Sequence, residues 1–585
     1  MTASAEKPER VPQLSLRSTG LRPNLYDLAI FILVAAGFVM LAHGAHEMAR
    51  PLAKLGTGPV SLDPAHLPEY ALRTVLRMFA AILCSLLFTF VVATLAAKSK
   101  RAELVIIPAL DILQSVPVLG FLTFTVVFFL NLFPGSQLGA EGAAIFAIFT
   151  SQAWNMAFSF YQSLRTVPSD LDEVSRHFQL SPWMRFWRLE APFAAPGLIW
   201  NTMMSMSGGW FFVVASEAIT VGDTTVNLPG IGSWLAAAIA ARDVHAVLLA
   251  VGAMAIVILA YDQLIFRPIV AWADKFRFEQ TAARQRPRSW VFDLWRRTRL
   301  LGRLTALLGA ASGVAQARAT AALPRRRSVS FRLPPVVSRV LDGLWLAVVL
   351  LAVAWSVWRI VQFVDTELGW ADVLQASELG FYTLVRVLVL IALASLVWVP
   401  IGVWIGLRPS IATKVQPVAQ FLAAFPANVL FPIAVVAIVQ WKLDPNIWLS
   451  PLMILGTQWY ILFNVIAGAS AFPTDMREAA ALFRLRSWQW WRKVIVPGIL
   501  PYYVTGALTA SGGSWNASIV AEVASWGSTT LEAAGLGAYI AKATAAGDYP
   551  RVVLGIAVMS VLVIATNRIV WRPLYALAER RFRIN

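Results

Sequence analysis

The chain has 585 residues, 58% of them hydrophobic and only 14% charged, with a formal net charge of +17. A soluble domain carries about 25% charged residues, so a soluble globular protein is excluded and most of the surface must face lipid. A single cysteine, Cys84, excludes an intrachain disulfide framework and a Cys-rich metal site. The five scattered histidines (His43, His46, His66, His177, His245) offer no metal constellation.

In chain order, a basic tail at 1–24 runs straight into a longer apolar segment without a small-residue cleavage site, the pattern of an uncleaved signal anchor. A crossing helix needs about 20 largely apolar residues. Such runs lie near 27–46, 72–96, 104–131, 142–163, 195–220 and 245–267, and again near 340–363, 380–406, 417–440, 446–468, 498–522 and 550–571. They predict an all-α polytopic membrane protein of about 12 transmembrane helices. Permease-sized domains at 25–278 and 336–585 are joined by a basic linker at 279–335. Pro117 and Pro426, inside apolar runs, are expected at kinks whose freed carbonyls neighbouring helices satisfy.

Basic loops set the orientation. With the N-terminus in the cytoplasm, Lys98–Arg101 and the linker fall inside; residues 275–332 hold 14 Lys/Arg against Glu279 and Asp293. The opposite loops carry Asp365, Glu367 and Asp372. The positive charge is therefore a matter of topology, and its dispersal between apolar spans argues against nucleic-acid binding. In the linker, Leu294, Leu301, Leu304 and Leu308 fall on one helical face and Arg296, Arg299 and Arg303 on the other. That pattern fits a helix in the membrane interface, or else a solvated tether.

The text of the chain repeats. The stretch beginning at Pro168 returns at Pro473, an offset of 305 that pairs Gly208 with Gly513, Trp210 with Trp515, Glu217 with Glu522, Gly230 and Gly232 with Gly535 and Gly537, and Asp243 with Asp548. A second offset, 309, links Thr74 and Arg77 to Thr383 and Arg386, and Pro108 and Pro117 to Pro417 and Pro426. Self-similarity at this scale marks a duplicated unit. Six spans per half make the copies parallel and suggest a pseudo-dimer around one pathway.

Each repeat loop lies between the fourth and fifth spans. Asp170, Glu173, Phe178, Leu180, Trp183 and Pro192 recur as Asp475, Glu478, Phe483, Leu485, Trp488 and Pro497. A Pro-(Ser/Thr)-Asp start is expected to cap a short amphipathic helix with the Glu in its first turn, and the Pro to open the next membrane helix. These loops resemble the EAA loop of binding-protein-dependent ABC importer permeases. Glu478-Ala479-Ala480 matches the opening of that pattern, Glu173 keeps only its Glu, and Leu189–Pro192 and Val494–Pro497 match the ending. Both copies depart at the Gly position, which holds Gln179 and Arg484. Residues 111–120, the AEV at 521–523 and GLGAYI at 535–540 are similar to the nitrate/sulfonate/taurine/bicarbonate branch.

The resemblance implies a type I importer-like fold in a bacterial cytoplasmic membrane, with both termini cytoplasmic. It implies coupling loops seated in two separate ABC ATPase subunits that use ATP and Mg, and an extracytoplasmic solute-binding protein. The chain itself is expected to be no enzyme and to bind no cofactor. The dipeptide Gly-Lys occurs nowhere, so a P-loop is impossible.

For the pathway or gate, the candidates are Arg77, Ser207, Trp210, Glu217, Arg386, Ser511, Trp515, Asn516 and Glu522. The small residues of the fifth spans equally suit close helix packing. Arg77 and Arg386 could attract an anion, anchor their helices or pair with Glu217 and Glu522. The repeated Gly-X-Gly is expected to be a tight turn. A gradient-driven secondary transporter with two parallel six-span halves is the alternative; a scaffold without transport fits the duplicated core less well.

Overall fold

The computed structural model describes residues 60–276, 289–298 and 335–582, apart from Gly135, Gln179, 222–223, 366–367, Ala471, Pro473 and Arg486, together with Leu28. The expected signal anchor, the first span apart from Leu28, and most of the linker lie outside these residues. The chain divides into two compact units. The smaller contributes the helix Trp290–Arg297, the opening of the expected interfacial helix. The larger holds both repeats.

The protein is an all-α, multi-pass membrane protein. Among the described residues, six helices are long and apolar enough to cross a membrane, or up to eight if each bent pair counts as one span. Helices Gln137–Arg165 and Ala191–Glu217 fall where two further spans are expected but are not among those six. In the first half the chain runs through Leu67–Lys98, Lys100–Ser115, Val118–Leu132, Gln137–Arg165, the short Ser169–His177, Ala191–Glu217, Ile231–Ala240 and Val244–Tyr261. The second half repeats this order from Trp370–Gly406 to Tyr549–Thr566. The helix Pro335–Asp365 is exposed along most of its apolar length, as a helix solvated by lipid would be.

Start and stop signals explain the boundaries. Asp243 and its copy Asp548 each accept a backbone N–H at the N-terminus of the last span, from Ala246 (3.0 Å) and Arg551 (3.1 Å). Pro117 and Pro426 do more than kink. Each is an extended residue that ends one helix and precedes the next, and at Pro426 the two segments meet at 76°. A proline ring disfavours helical backbone at the residue before it, so the break falls there.

Among the described residues, four π-helical turns sit at equivalent places: Phe186–Glu190 with Trp491–Ile495, and Asp262–Phe266 with Asn567–Trp571. Each is followed two residues on by a proline: Pro192, Pro497, Pro268 and Pro573. Proline cannot donate to the carbonyl four residues back and clashes with it. A widened turn absorbs that mismatch and lets the helix continue. The short helix after each repeat loop therefore runs into the fifth span rather than meeting it at an elbow.

The halves share their core. The largest apolar cluster joins Val118, Leu122, Val126 and Phe212 of the first half to Phe431, Trp515 and Ile540 of the second. Two antiparallel hairpins, Ala218–Val221 with Thr224–Asn227 and Val523–Trp526 with Thr529–Glu532, follow the fifth spans. Nothing in the apolar periodicity announces them.

Candidate functional site

The repeat loops fold alike. Phe178 donates its N–H to Val174 O (3.0 Å) and Leu180 to Ser175 O (3.1 Å); Phe483 and Leu485 do the same to Ala479 (2.9 Å) and Ala480 (3.0 Å). Arg484 stands at φ 49°, in the left-handed region where glycine is favoured, so this turn is kept without the glycine of the resembling pattern. Gln179 lies outside the described residues. The first helix is preceded by Pro168 and has no side-chain cap, and its first turn holds Asp170 and Asp172, with Glu173 just beyond. The expected Ser/Asp cap and first-turn Glu are thus absent there.

Side chains on these loops point away from the bundle. Phe178 and Trp183 are 72% and 67% exposed, Phe483 and Trp488 78% and 73%. Asp170, Glu173, Glu478 and Ala479 are exposed, Ala480 is buried, and Leu180, Leu485, Pro192 and Pro497 are half-buried. Asp475 is helical. The first loop is also tied down by ions. Glu190, at the end of its π turn, accepts from Lys98 and from Arg185 (2.9 Å), and Arg185 also reaches Asp172 (2.9 Å).

At the opposite ends of the fifth spans lies a buried ionic cluster, built twice. Glu217 accepts from Thr74 Oγ1 (2.7 Å), Arg77 Nη1 (2.7 Å) and the Gly232 N–H (2.6 Å). Glu522 accepts from Thr383 Oγ1 (2.8 Å), Arg386 Nη1 (3.0 Å) and the N–H groups of Gly537 (2.8 Å) and Ala538 (3.2 Å). Each Thr hydroxyl in turn accepts the N–H of the residue after the first glycine, Ile231 (3.0 Å) or Leu536 (2.9 Å).

The Gly-X-Gly is thus a helix start that binds an anion, the protein's own carboxylate, rather than only a turn. A Cβ on Gly230 or Gly535 would fall on the Glu217 or Glu522 carboxylate. One on Gly232 or Gly537 would strike the carbonyl of Val214 or Ser518. In each half the end of the fifth span, the Gly-X-Gly helix start and a helix about 140 residues away in sequence are pinned at one point.

The two clusters differ in one member. Arg77 also binds Glu141 bidentately, Nε to Oε2 at 2.6 Å and Nη2 to Oε1 at 2.7 Å, and its side chain is fully buried. Among the described residues Arg386 has no second carboxylate partner, and its side chain is 15% exposed. Glu141 was not among the expected site residues. The signal for it was faint: one carboxylate beside the first residue of an apolar run.

The remaining candidates separate. Ser207 and Trp210 line a cavity of about 310 Å³ with Met203, Met206, Gln420 and Phe421, so both halves contribute to it. Ser511 and Trp515 are buried in packing, and the Trp515 indole N–H has no partner among the described residues. Asn516 accepts the Val118 N–H at 2.7 Å, across the halves. Asn428 makes the reciprocal bridge, donating to Phe211 O at 3.1 Å. Among the described residues no group of His, Cys, Asp and Glu could hold a metal.

A family described as "Binding-protein-dependent transport system inner membrane component" matches residues 85–267 and again 398–583. The chain is 30% identical over 141 residues to the "Bicarbonate transport system permease protein CmpB" of Synechococcus elongatus, covering 24% of this chain and 49% of that protein. It is 26% identical over 188 residues to the "Nitrate import permease protein NrtB" of Leptolyngbya laminosa, covering 32% and 64%. It is 29% identical over 185 residues to the "Glycine betaine/proline betaine transport system permease protein ProW" of Escherichia coli K12, covering 31% and 48%. The chain thus spans about half the length of most of these relatives.

Proposed function

This chain belongs, through both its halves, to the family of binding-protein-dependent transport system inner membrane components, and from that premise we propose that it is the membrane-spanning permease of an ATP-driven importer for a small anionic solute. The relatives named for bicarbonate and nitrate support a solute of that class, with sulfonates and taurine as further members. In this reading one polypeptide supplies both permease halves. A solute-binding protein outside the cell delivers the anion, and two ABC ATPase subunits, which use ATP and Mg, drive the cycle. The chain holds no ATPase site of its own.

The observation that carries the reading is the doubled display on the repeat loops. Phe178 and Trp183, and again Phe483 and Trp488, expose most of their apolar surface in one register. Large apolar side chains held out in this way mark surfaces that another protein covers. An amphipathic helix seated in a groove is the matching recognition mode, with Glu173 and Glu478 at its edge. On this reading both loops face the cytoplasm.

The test is co-purification of the ATPase with the full chain. Phe178→Asp/Phe483→Asp should abolish it while the chain remains inserted and folded. Undiminished association, or uptake that persists in vesicles holding an ion gradient but no ATP, would defeat the reading in favour of a secondary transporter.

A further inference from the structure

We infer that Arg386 holds a small planar oxyanion on the edge of its guanidinium that faces away from Glu522, the edge that the first half closes with its own Glu141. The protein carries its own comparison. The two clusters share threonine, arginine, glutamate and the glycine N–H. In the first, all three kinds of guanidinium donor are used: Nη1 on Glu217, and Nε with Nη2 on the two oxygens of Glu141. In the second, Nη1 lies on Glu522, while Nε and Nη2 make no hydrogen bond to any described residue.

The missing carboxylate is a matter of sequence. The 305 offset that pairs Trp154 with Trp459 places Asn446 opposite Glu141. Asn446 is occupied elsewhere: its Oδ1 accepts from Ala534 N at 2.9 Å and its Nδ2 donates to Asp444 at 3.3 Å. It also lies where the helix counterpart is broken into Pro445–Trp448, Ser450–Leu455 and Gln458–Ser470. The open edge is reachable as well, since the Arg386 side chain is 15% exposed against none for Arg77.

The first half specifies what such an edge takes. A carboxylate presents two oxygens in one plane, matched to the parallel N–H pair of arginine. Nitrate, bicarbonate and formate present the same pair. Charge agrees: the first cluster sets one arginine against two carboxylates, and a bound monoanion would give the second the same composition. The site stands on this geometry alone; only the identification of its anion with the transported solute rests on the importer reading.

The experiment uses the full chain in nanodiscs of phosphatidylcholine, titrated with nitrate, bicarbonate and formate. Saturable binding is expected, weakened at least tenfold in Arg386→Gln and weakened less in Arg386→Lys, which keeps the charge but not the fork. Arg386→Gln/Glu522→Gln, which leaves no buried carboxylate alone, should match the single variant. Should neither variant fold, the native chain decides: nitrate should protect Arg386 from an arginine-directed reagent.

Binding unchanged within twofold in a folded Arg386 variant, or no protection of the native residue, overturns the site. So does occupancy of Arg386 only by phosphatidylglycerol in discs that contain it, which would make the ligand a lipid headgroup. Lost binding with intact ATPase association, or the reverse, separates failure of the importer reading from failure of the site.

Discussion

At the scale of single residues, three glycine-related positions carry tests. A methyl group on Gly535 would occupy the place of the Glu522 carboxylate, forcing it off Arg386 and Thr383. Breaking a buried pair from one side costs about 3–5 kcal/mol. Gly535→Ala should therefore lower the thermal midpoint of the detergent-solubilised protein sharply. Gly512→Ala, whose added Cβ would meet nothing within 4 Å, is the control and should leave it unchanged. Arg484, at φ 49°, holds a conformation that costs a non-glycine residue roughly 1 kcal/mol. Arg484→Gly should be neutral or slightly stabilising in the same melt and leave ATPase association intact. The repeat makes Thr74, Arg77, Glu217 and the glycines visible one by one in the sequence. That they meet at one carboxylate is not visible, because Thr74 and Arg77 lie 143 and 140 residues from Glu217 along the chain.

At the scale of elements, the two repeat loops match in backbone and differ in how they are fastened. Glu190, 8% exposed, receives Lys98 from the end of the second span and Arg185 from the loop. The 305 offset puts Ile495 and Trp490 at the places of Glu190 and Arg185, so the second loop is held by apolar contact. Glu190→Ala should loosen the first loop alone. Hydrogen exchange is the measurement: amides at 169–185 should exchange about tenfold faster, as a loss near 1.4 kcal/mol would give, while those at 474–490 stay as they were. Equal acceleration in both loops would argue for a global effect instead. The π turns belong to this scale too. Their sequence mark is a proline inside what otherwise reads as continuous helix, and the expectation that Pro192 and Pro497 open a new helix misread it because a proline is compatible both with a helix start and with a widened turn.

At the scale of the whole molecule, the halves are joined by crossed polar contacts at the two helix breaks. The break after Pro117 is held by Asn516, and the break after Pro426 reaches the fifth span of the first half through Asn428. Asn516→Ala leaves the Val118 N–H without its acceptor, at a cost of about 1–3 kcal/mol. The solubilised chain should show that loss as a lower unfolding midpoint, and an unchanged midpoint would mean that the Asn516 bridge adds nothing to the hold between the halves.

Sequence alone determined the class, the duplication and the register of the chain. Apolar runs of bilayer length, basic loops and a text that returns after 305 residues are local or self-referential signals, and lipid admits little besides helices for such a text. Tertiary structure decided which repeated residues are partners. Arg77 and Arg386 stand at equivalent places in the text, yet among the described residues Arg77 pairs with two carboxylates and Arg386 with one. The difference lies in Glu141, which only the packing of distant helices brings within 2.6 Å. Hydrogen-bond geometry acts across space rather than along the chain, so the asymmetry between two nearly matched halves exists only in the fold.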